Sequence, residues 1–399
     1  MRQIKEQGEL ARHYNKVQLA AAMRDARSNL LACVDDLSDA EWRVPYHTCY
    51  NPVGWEIGHV AWFAEWWTLR GPHSVDSSGQ VQASLPARHT GPDATFNSSV
   101  IPHKDRWTVS VPERHALYDR LAAQLDATLA SLAHSGESDA DLYFYRLALF
   151  HEDMHVEALT YLRDHLGYSA PPEILLPRVP IEAAQVTIPA GLIHIGQQEN
   201  SSGFFFDNEK YAHPVEIPAL QIDATPISSG AFLNFVEAGG YTTPAFWPDA
   251  AGRWRMSVER THPERWRKAA AGWQCRWFDQ WLLLPPDMPI MHINAYEAQA
   301  YCLWAKRRLP SEAEWEAAAR QDLIQWGGLV WEWMGNPFTP YTGFSPDPYR
   351  DYSAPWFDNH QSLRGGSFAT HPRIHHAQYR NFYLPERNDI FAGFRSCGI

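Results

Sequence analysis

The sequence predicts two structural units: a four-helix bundle over residues 1–170 and an irregular α+β domain over 189–399, joined by a proline-rich linker at 171–188. Three observations predict this. Apolar residues in the first part recur at helical steps of four and three. Prolines cluster at Pro171, Pro172, Pro177 and Pro180. Beyond them come short β-like runs separated by dense turn residues such as "ENSSG", "EAGGY" and "RGGS".

The elements follow in order. "NKVQLAAAMRDARSNLLACVDDL" carries Leu19, Met23, Ala26, Leu30, Cys33 and Leu37 on one helical stripe. "YNPVGWEIGHVAWFAEWWTLR" opens with Asn51 as N-cap and Pro52 at the first helical position. A third helix is "VPERHALYDRLAAQLDATLASLA", with Pro112 near its start. The fourth, "SDADLYFYRLALFHEDMHVEALTYLRDHLG", is capped by Ser138 or Asp139 and stopped by Gly167. Four helices of this length suggest a bundle. The loop from Gly71 to Ser110 is long enough to be functional or disordered. In the second unit, "AQVTIPAGLIHIG" and "PVEIPALQID" read as strands. "SSGAFLNFVEAGG" and "NAYEAQAYCLWAKRR" read as short helices.

Composition narrows the function. A formal charge of −12 with no Lys/Arg-rich run excludes a nucleic-acid binder, which needs a basic face. The start of the chain is polar and no 18-residue apolar run exists, so neither a signal peptide nor a membrane span is expected. Five scattered cysteines form neither a disulfide framework nor a zinc C-x-x-C site. The expectation is a cytoplasmic protein with small-molecule substrates. The 18 tryptophans either fill space in a loop-rich fold or line a pocket.

The stretch "HEDMHVE" carries the chemistry. His151 and His155, four residues apart on one helix, share a face and can hold one metal ion. The same spacing also occurs for structural histidines. Their helix face is otherwise apolar, so both need partners. Glu157 is a candidate acceptor for one of them. His59 in "WEIGHVAWFAEWW" is either a satisfied core histidine or a third ligand. The stretch also reads as H-E-x-x-H, the zinc-protease motif. However, the further ligand of that class is missing: Ala158 and Tyr161 stand where one form needs Gly and His, and Glu173 lies in the linker. Glu152 sits about 100° round the helix from His151 and need not face a metal. Three histidines without a carboxylate depart from the two-His-one-carboxylate iron triad and suit zinc as well as iron.

"HEDMHVE" and the isolated His59 together resemble the metal motif of the nonheme iron sulfoxide synthases of ergothioneine and ovothiol biosynthesis (EgtB, OvoA), with selenoneine synthase (SenA) a close relative. The resemblance extends through "IPAGLIHIG", "FFFDNEK", "RRLPSEAEWEAAAR", "LVWEWM", "LRGGSF" and "YRNFYLPERNDIFAGFRSC", nearly the whole chain. It implies a DinB-like four-helix bundle followed by a formylglycine-generating-enzyme-like domain, related to C-type lectins. It implies iron(II) held by His59, His151 and His155, with dioxygen and hercynine as substrates. No cysteine matches the copper-binding pair of formylglycine-generating enzymes, so that activity is not implied.

Two departures point to the selenoneine branch. Actinobacterial-type sulfoxide synthases carry Tyr-x-x-Tyr near "PFTPYTGF", where the first Tyr donates a proton or hydrogen. Here Phe338 stands first and Tyr341 second. Phenylalanine has no hydroxyl to donate. Tyr341 is therefore the catalytic candidate, and Phe338, Tyr341, Asn381, Phe382 and Tyr383 are the substrate-binding candidates. Users of γ-glutamylcysteine also carry an Arg-rich segment after "F-N-S" and an acidic residue after the "RN-aromatic" element. This chain shows only Lys104 and Arg106 in the first place and Tyr383 in the second. The resemblance thus implies C–Se bond formation between hercynine and a selenosugar. The alternatives are C–S bond formation with cysteine or γ-glutamylcysteine, and a non-catalytic DinB/lectin-like binding protein.

Overall fold

The computed structural model describes residues 2–399. Asn15 opens the first bundle helix, Lys16–Ala32: its side chain accepts from Val17 and Gln18, and the Gln18 side chain returns to the Asn15 N–H. This reciprocal cap satisfies amides that otherwise lack partners at a helix start. The predicted stripe from Leu19 to Leu37 is buried at every position. The second helix, Val53–Leu69, is buried continuously from Val53 to Trp67. A helix that is apolar all round lies at the centre of its bundle. It packs against the Arg114–His134 helix and the Asp139–Leu166 helix. Ser138 caps the last of these in a capping box with Asp141, and Gly167 ends it at φ 72°. That left-handed conformation is one glycine adopts without strain.

Asn51 does not cap the second helix. Pro52 takes the cap position without a side-chain bond, because the Asn51 carboxamide is bound elsewhere, to Glu56 and Arg106. The loop after this helix is ordered by a short β-ribbon, His73–Val75 with Val81–Ala83, and by the turns Asp93–Phe96 and His103–Trp107.

In the second unit, Gln185–Ile188 pairs with Leu220–Asp223 and Gly191–Ile195 with His213–Ile217. The first of these strands lies within the stretch 171–188 that the sequence reads as linker. Its alternating exposure and paired partner place it in the second unit. A three-stranded meander spans Trp266–Ala269, Gly272–Trp277 and Gln280–Leu283. A four-stranded sheet runs in the order Asn381–Tyr383, Gln361–Arg364, Trp331–Pro337, Ala392–Gly393. Besides the two expected helices, Ser229–Glu237 and Ala295–Trp304, the unit holds Asp249–Val258 and Glu312–Arg320.

A helix at Arg2–Arg12, unexpected from its polar sequence, packs on the turn Pro372–Ile374. Its last residue, Arg12, meets buried Glu209 of the second unit in two 2.8 Å bonds. The Asp139–Leu166 helix is tied across the same boundary. Asp153 accepts from Arg373, Glu157 from Trp331, and Asp164 from the Phe278 amide. At 100° per residue these three carboxylates fall on one stripe, roughly half a turn from His151 and His155. The helix therefore shows its acids to the second unit and its histidines to the Val53–Leu69 helix.

Candidate metal centre

His59 stands mid-way along the most buried helix. Its ring is stacked on Trp55 at 4.9 Å and flanked by Trp62 at 5.9 Å. Nδ1 lies 2.8 Å from the Phe96 carbonyl. A carbonyl only accepts, so Nδ1 carries the hydrogen and Nε2 presents a bare lone pair. Gly58 makes this contact possible. A Cβ there would stand 2.2 Å from the Phe96 ring. The Gly58→Ala variant is expected to lose about 1–3 kcal/mol through overpacking and to bind metal more weakly, since Phe96 holds His59. Thermal melts with a metal titration check this; unchanged metal affinity would show that the Phe96 contact does not orient the ring.

His155 is fixed in the same way. Its Nδ1 donates to Oε1 of Glu56 at 2.5 Å, which turns Nε2 toward His151. Glu56 is buried; burial raises its pKa, the adjacent His155 more than offsets this, and the net shift is downward. His151 lies flat on Phe63, ring centres 3.5 Å apart, and its Nδ1 has no partner. The Nε2 atoms of His151 and His155 face each other at 3.0 Å. The three histidines together offer ligand atoms that all lie within 4.8 Å of one another. Burial first, then neighbouring His155, pushes His59 down to about 3; burial likewise holds His151 well below its ordinary value. Both rings are thus neutral, the form that ligates metals.

These residues fit a metal ion. Two bare imidazole nitrogens 3.0 Å apart repel unless a cation or a shared proton lies between them. Metal–nitrogen bonds of about 2.0–2.1 Å to one ion place two ligand nitrogens roughly 3 Å apart. Among the described residues, the only such cluster is these three histidines, with no carboxylate in it.

The protease motif dissolves in this geometry. Glu152 is buried against Arg27, 2.7 Å from its Nε, on a different side of the helix from the histidines. Glu157 does not serve a histidine either. It lies two residues past His155, about 200° round the helix, and accepts from Trp331, Ser367 and Thr370. The carboxylate that orients a ligand is Glu56, which the sequence reading missed. Its signal was present: Glu56 is one turn before His59 on the same helix. The Met154 sulfur, 3.3 Å from the Tyr379 hydroxyl, packs toward Tyr379 and Tyr352.

A cavity of about 500 Å³ lies against the centre. Trp62 and Phe63, the rings on His59 and His151, form part of its wall. Asn97, Ser98 and Ser99 come from the long loop, and Tyr349 and Trp356 from a loop of the second unit. Ser99 donates to Asp351 across its mouth.

Tyr341, the expected catalytic residue, lies in a different hydrophobic cluster from the rings around the histidines. It is buried in a separate cluster, its ring beneath Arg380 at 4.0 Å and its hydroxyl 3.4 Å from Arg364. Glu312 and Glu316 hold both arginines there, and burial pushes the phenol well above its ordinary pKa. Phe338 is also fully buried, stacked on Phe382 at 4.2 Å. Asn381, Phe382 and Tyr383 form an edge strand. Alternation turns Phe382 away from the other two. Phe382 approaches Tyr352, which touches Met154, while Tyr383 lies under Arg387.

Residues 22–162 match the DinB superfamily and residues 176–323 the sulfatase-modifying factor enzyme 1-like domain. The fold is thus a DinB-type bundle followed by a domain of the formylglycine-generating-enzyme type. The hercynine oxygenase of Mycobacterium tuberculosis is 30% identical over 437 residues, covering 95% of this chain and 98% of that one. The chain belongs to the hercynine oxygenase family. A second member, from Mycolicibacterium thermoresistibile, is 28% identical over 96% of this chain and 94% of its own. The formylglycine-generating enzyme of Streptomyces coelicolor is 26% identical over only 53% of this chain. Hercynine oxygenases are oxidoreductases, so the chain is an enzyme of that class. No helix among the described residues is long and apolar enough to cross a membrane.

Proposed function

We propose that this enzyme uses iron(II) and dioxygen to join the selenium of a selenosugar to the imidazole carbon of hercynine. The observation that carries the metal part is the convergence of three imidazole nitrogens without a carboxylate. His59, His151 and His155 would hold the iron. When bound, iron would supply the redox chemistry with dioxygen: the imidazole C–H and the selenol Se–H are lost as the carbon–selenium bond forms, one oxygen atom leaving as water and the other staying on selenium as a selenoxide. The protein's own work is positional. Phe96 and Glu56 fix the tautomers of two ligands, and the rings of Trp55, Trp62 and Phe63 keep water from their backs. The quaternary ammonium of hercynine has no hydrogen to donate and favours aromatic faces. Such faces are abundant between Phe63 and Tyr349 and between Tyr352 and Phe382.

The cavity supports the sugar donor. Its walls pair aromatic rings with the neutral side chains of Gln80, Asn97, Ser98 and Ser99. Its charged groups are Arg106, whose best-formed bond goes to Asn51, and Arg350 beside Asp351 in the chain. A neutral polyol suits the neutral part of this lining, whereas γ-glutamylcysteine, with two carboxylates and an ammonium group, would need Arg106, Arg350 and Asp351 together. A second reading, a sulfur donor giving hercynine sulfoxide, is favoured by the 30% identity to a hercynine oxygenase.

Iron-loaded protein incubated aerobically with hercynine and an equimolar mixture of selenosugar, cysteine and γ-glutamylcysteine separates them. Mass spectrometry is expected to show the selenium adduct as the main product. A sulfoxide as the main product would replace the selenium reading, and no hercynine adduct at all would remove both.

A further inference from the structure

We infer that Arg106 and Asn51 are positioning residues that set the orientation of His155 from the cavity wall, an inference that rests on the metal-centre reading above. The Arg106 guanidinium lines the cavity and lies over the Trp55 ring at 4.2 Å. It donates through Nη1 to Oδ1 of Asn51 at 2.7 Å. The Asn51 amide donates through Nδ2 to Oε2 of Glu56 at 2.5 Å. The other oxygen of Glu56 accepts from His155 Nδ1. Four side chains thus form one hydrogen-bonded line from the cavity to a ligand. Every member has a fixed direction: arginine only donates, which forces the Asn51 oxygen toward it and the Asn51 amide toward Glu56. Remove Arg106, and Asn51 still donates to Glu56 but loses the bond that fixes its oxygen, so the line to His155 is held at one end only.

Arg106 has donors to spare. Its Nη2 makes only a 3.5 Å contact with the Ser98 carbonyl, and its Nε has no partner. Its best-formed bond points at the line to His155. Partners that orient a metal-ligating histidine typically alter metal affinity 10–100-fold when removed. Asn51 and Arg106 act one and two steps further out than Glu56, so a smaller effect, about three- to tenfold, follows.

The test uses the full-length protein loaded with cobalt(II), whose visible absorption reports ligand geometry. Arg106→Ala and Asn51→Ala are each expected to weaken cobalt binding about three- to tenfold and to shift the visible band. Because both act through Glu56, adding either change to a Glu56→Gln protein should produce little further loss, a non-additivity that a merely structural role would not give. Arg106→Lys, which keeps a donor, should recover part of the band. Circular dichroism checks that each variant folds. Wild-type affinity and spectrum in a folded Arg106→Ala protein, or full additivity with Glu56→Gln, would overturn the inference. Cobalt binding unchanged in His59→Ala, His151→Ala and His155→Ala would instead remove the metal centre itself, so the two failures are distinguishable.

Discussion

Alanine at His59, His151 or His155 abolishes stoichiometric metal binding and turnover together. Each residue supplies one of three nitrogens that lie within 4.8 Å of one another, and no carboxylate stands in the cluster to substitute. The three variants should nevertheless differ in stability, because the groups they abandon differ. His151 has an unpartnered Nδ1 and meets only His155 through Nε2, so its removal strands no backbone or carboxylate partner. Loss of His59 leaves the Phe96 carbonyl without its donor, a cost of about 1–3 kcal/mol for a buried group. Loss of His155 leaves the buried Glu56 carboxylate with Asn51 alone, and an abandoned charged group costs more than an abandoned neutral one, upward of about 3 kcal/mol. The expected order of stability is His151→Ala, then His59→Ala, then His155→Ala, while metal content falls equally in all three. Metal analysis of purified protein and thermal melts of the metal-free forms check both halves. A variant that keeps a full complement of metal would take its residue out of the centre.

Glu56→Gln is expected to lower metal affinity about 10–100-fold, the usual scale for the partner of a ligating histidine, with the fold retained. Glu56 accepts on both sides, from His155 at Oε1 and from Asn51 at Oε2. Glutamine offers one oxygen and one NH2 group. If the oxygen serves His155, the NH2 faces the Asn51 amide, donor against donor. Relieving that clash requires Asn51 to flip, which breaks its bond from Arg106. If the NH2 faces His155 instead, the ring can turn to the other tautomer and its Nε2 is no longer bare. Either way a ligand is disturbed without a change in side-chain volume. Competition titration with a metal chelator measures the loss, and an affinity within twofold of wild type would show that Glu56 does not orient the ligand.

Much of this was legible in the sequence. The helical stripe from Leu19 to Leu37 and the i,i+4 histidines were readable because periodicity marks which residues share a face. The pairing of His59 with them needed a resemblance, since nothing local tells a buried ligand from a buried structural histidine. Glu56 could have been found by asking which acceptor lies one turn from His59; attention went to Glu157, which the helix turns away. A motif position does not reveal that Arg364 and Arg380 anchor the Tyr341 ring. Tyr349, Tyr352 and Trp356 lie on an aperiodic loop, where sequence patterning carries no signal. The Arg2–Arg12 helix was missed because its polar sequence shows no stripe, and contact with the second unit stabilises it.

The central claim is that three imidazoles alone from this chain hold one iron. Crystals of anaerobically iron-loaded protein, measured at the iron absorption edge, test it most directly. The account predicts a single anomalous peak per chain, bonded to the Nε2 atoms of His59, His151 and His155 and to no carboxylate. A peak bonded to Glu56, Glu152 or Glu157, or one lying away from these histidines, would contradict it.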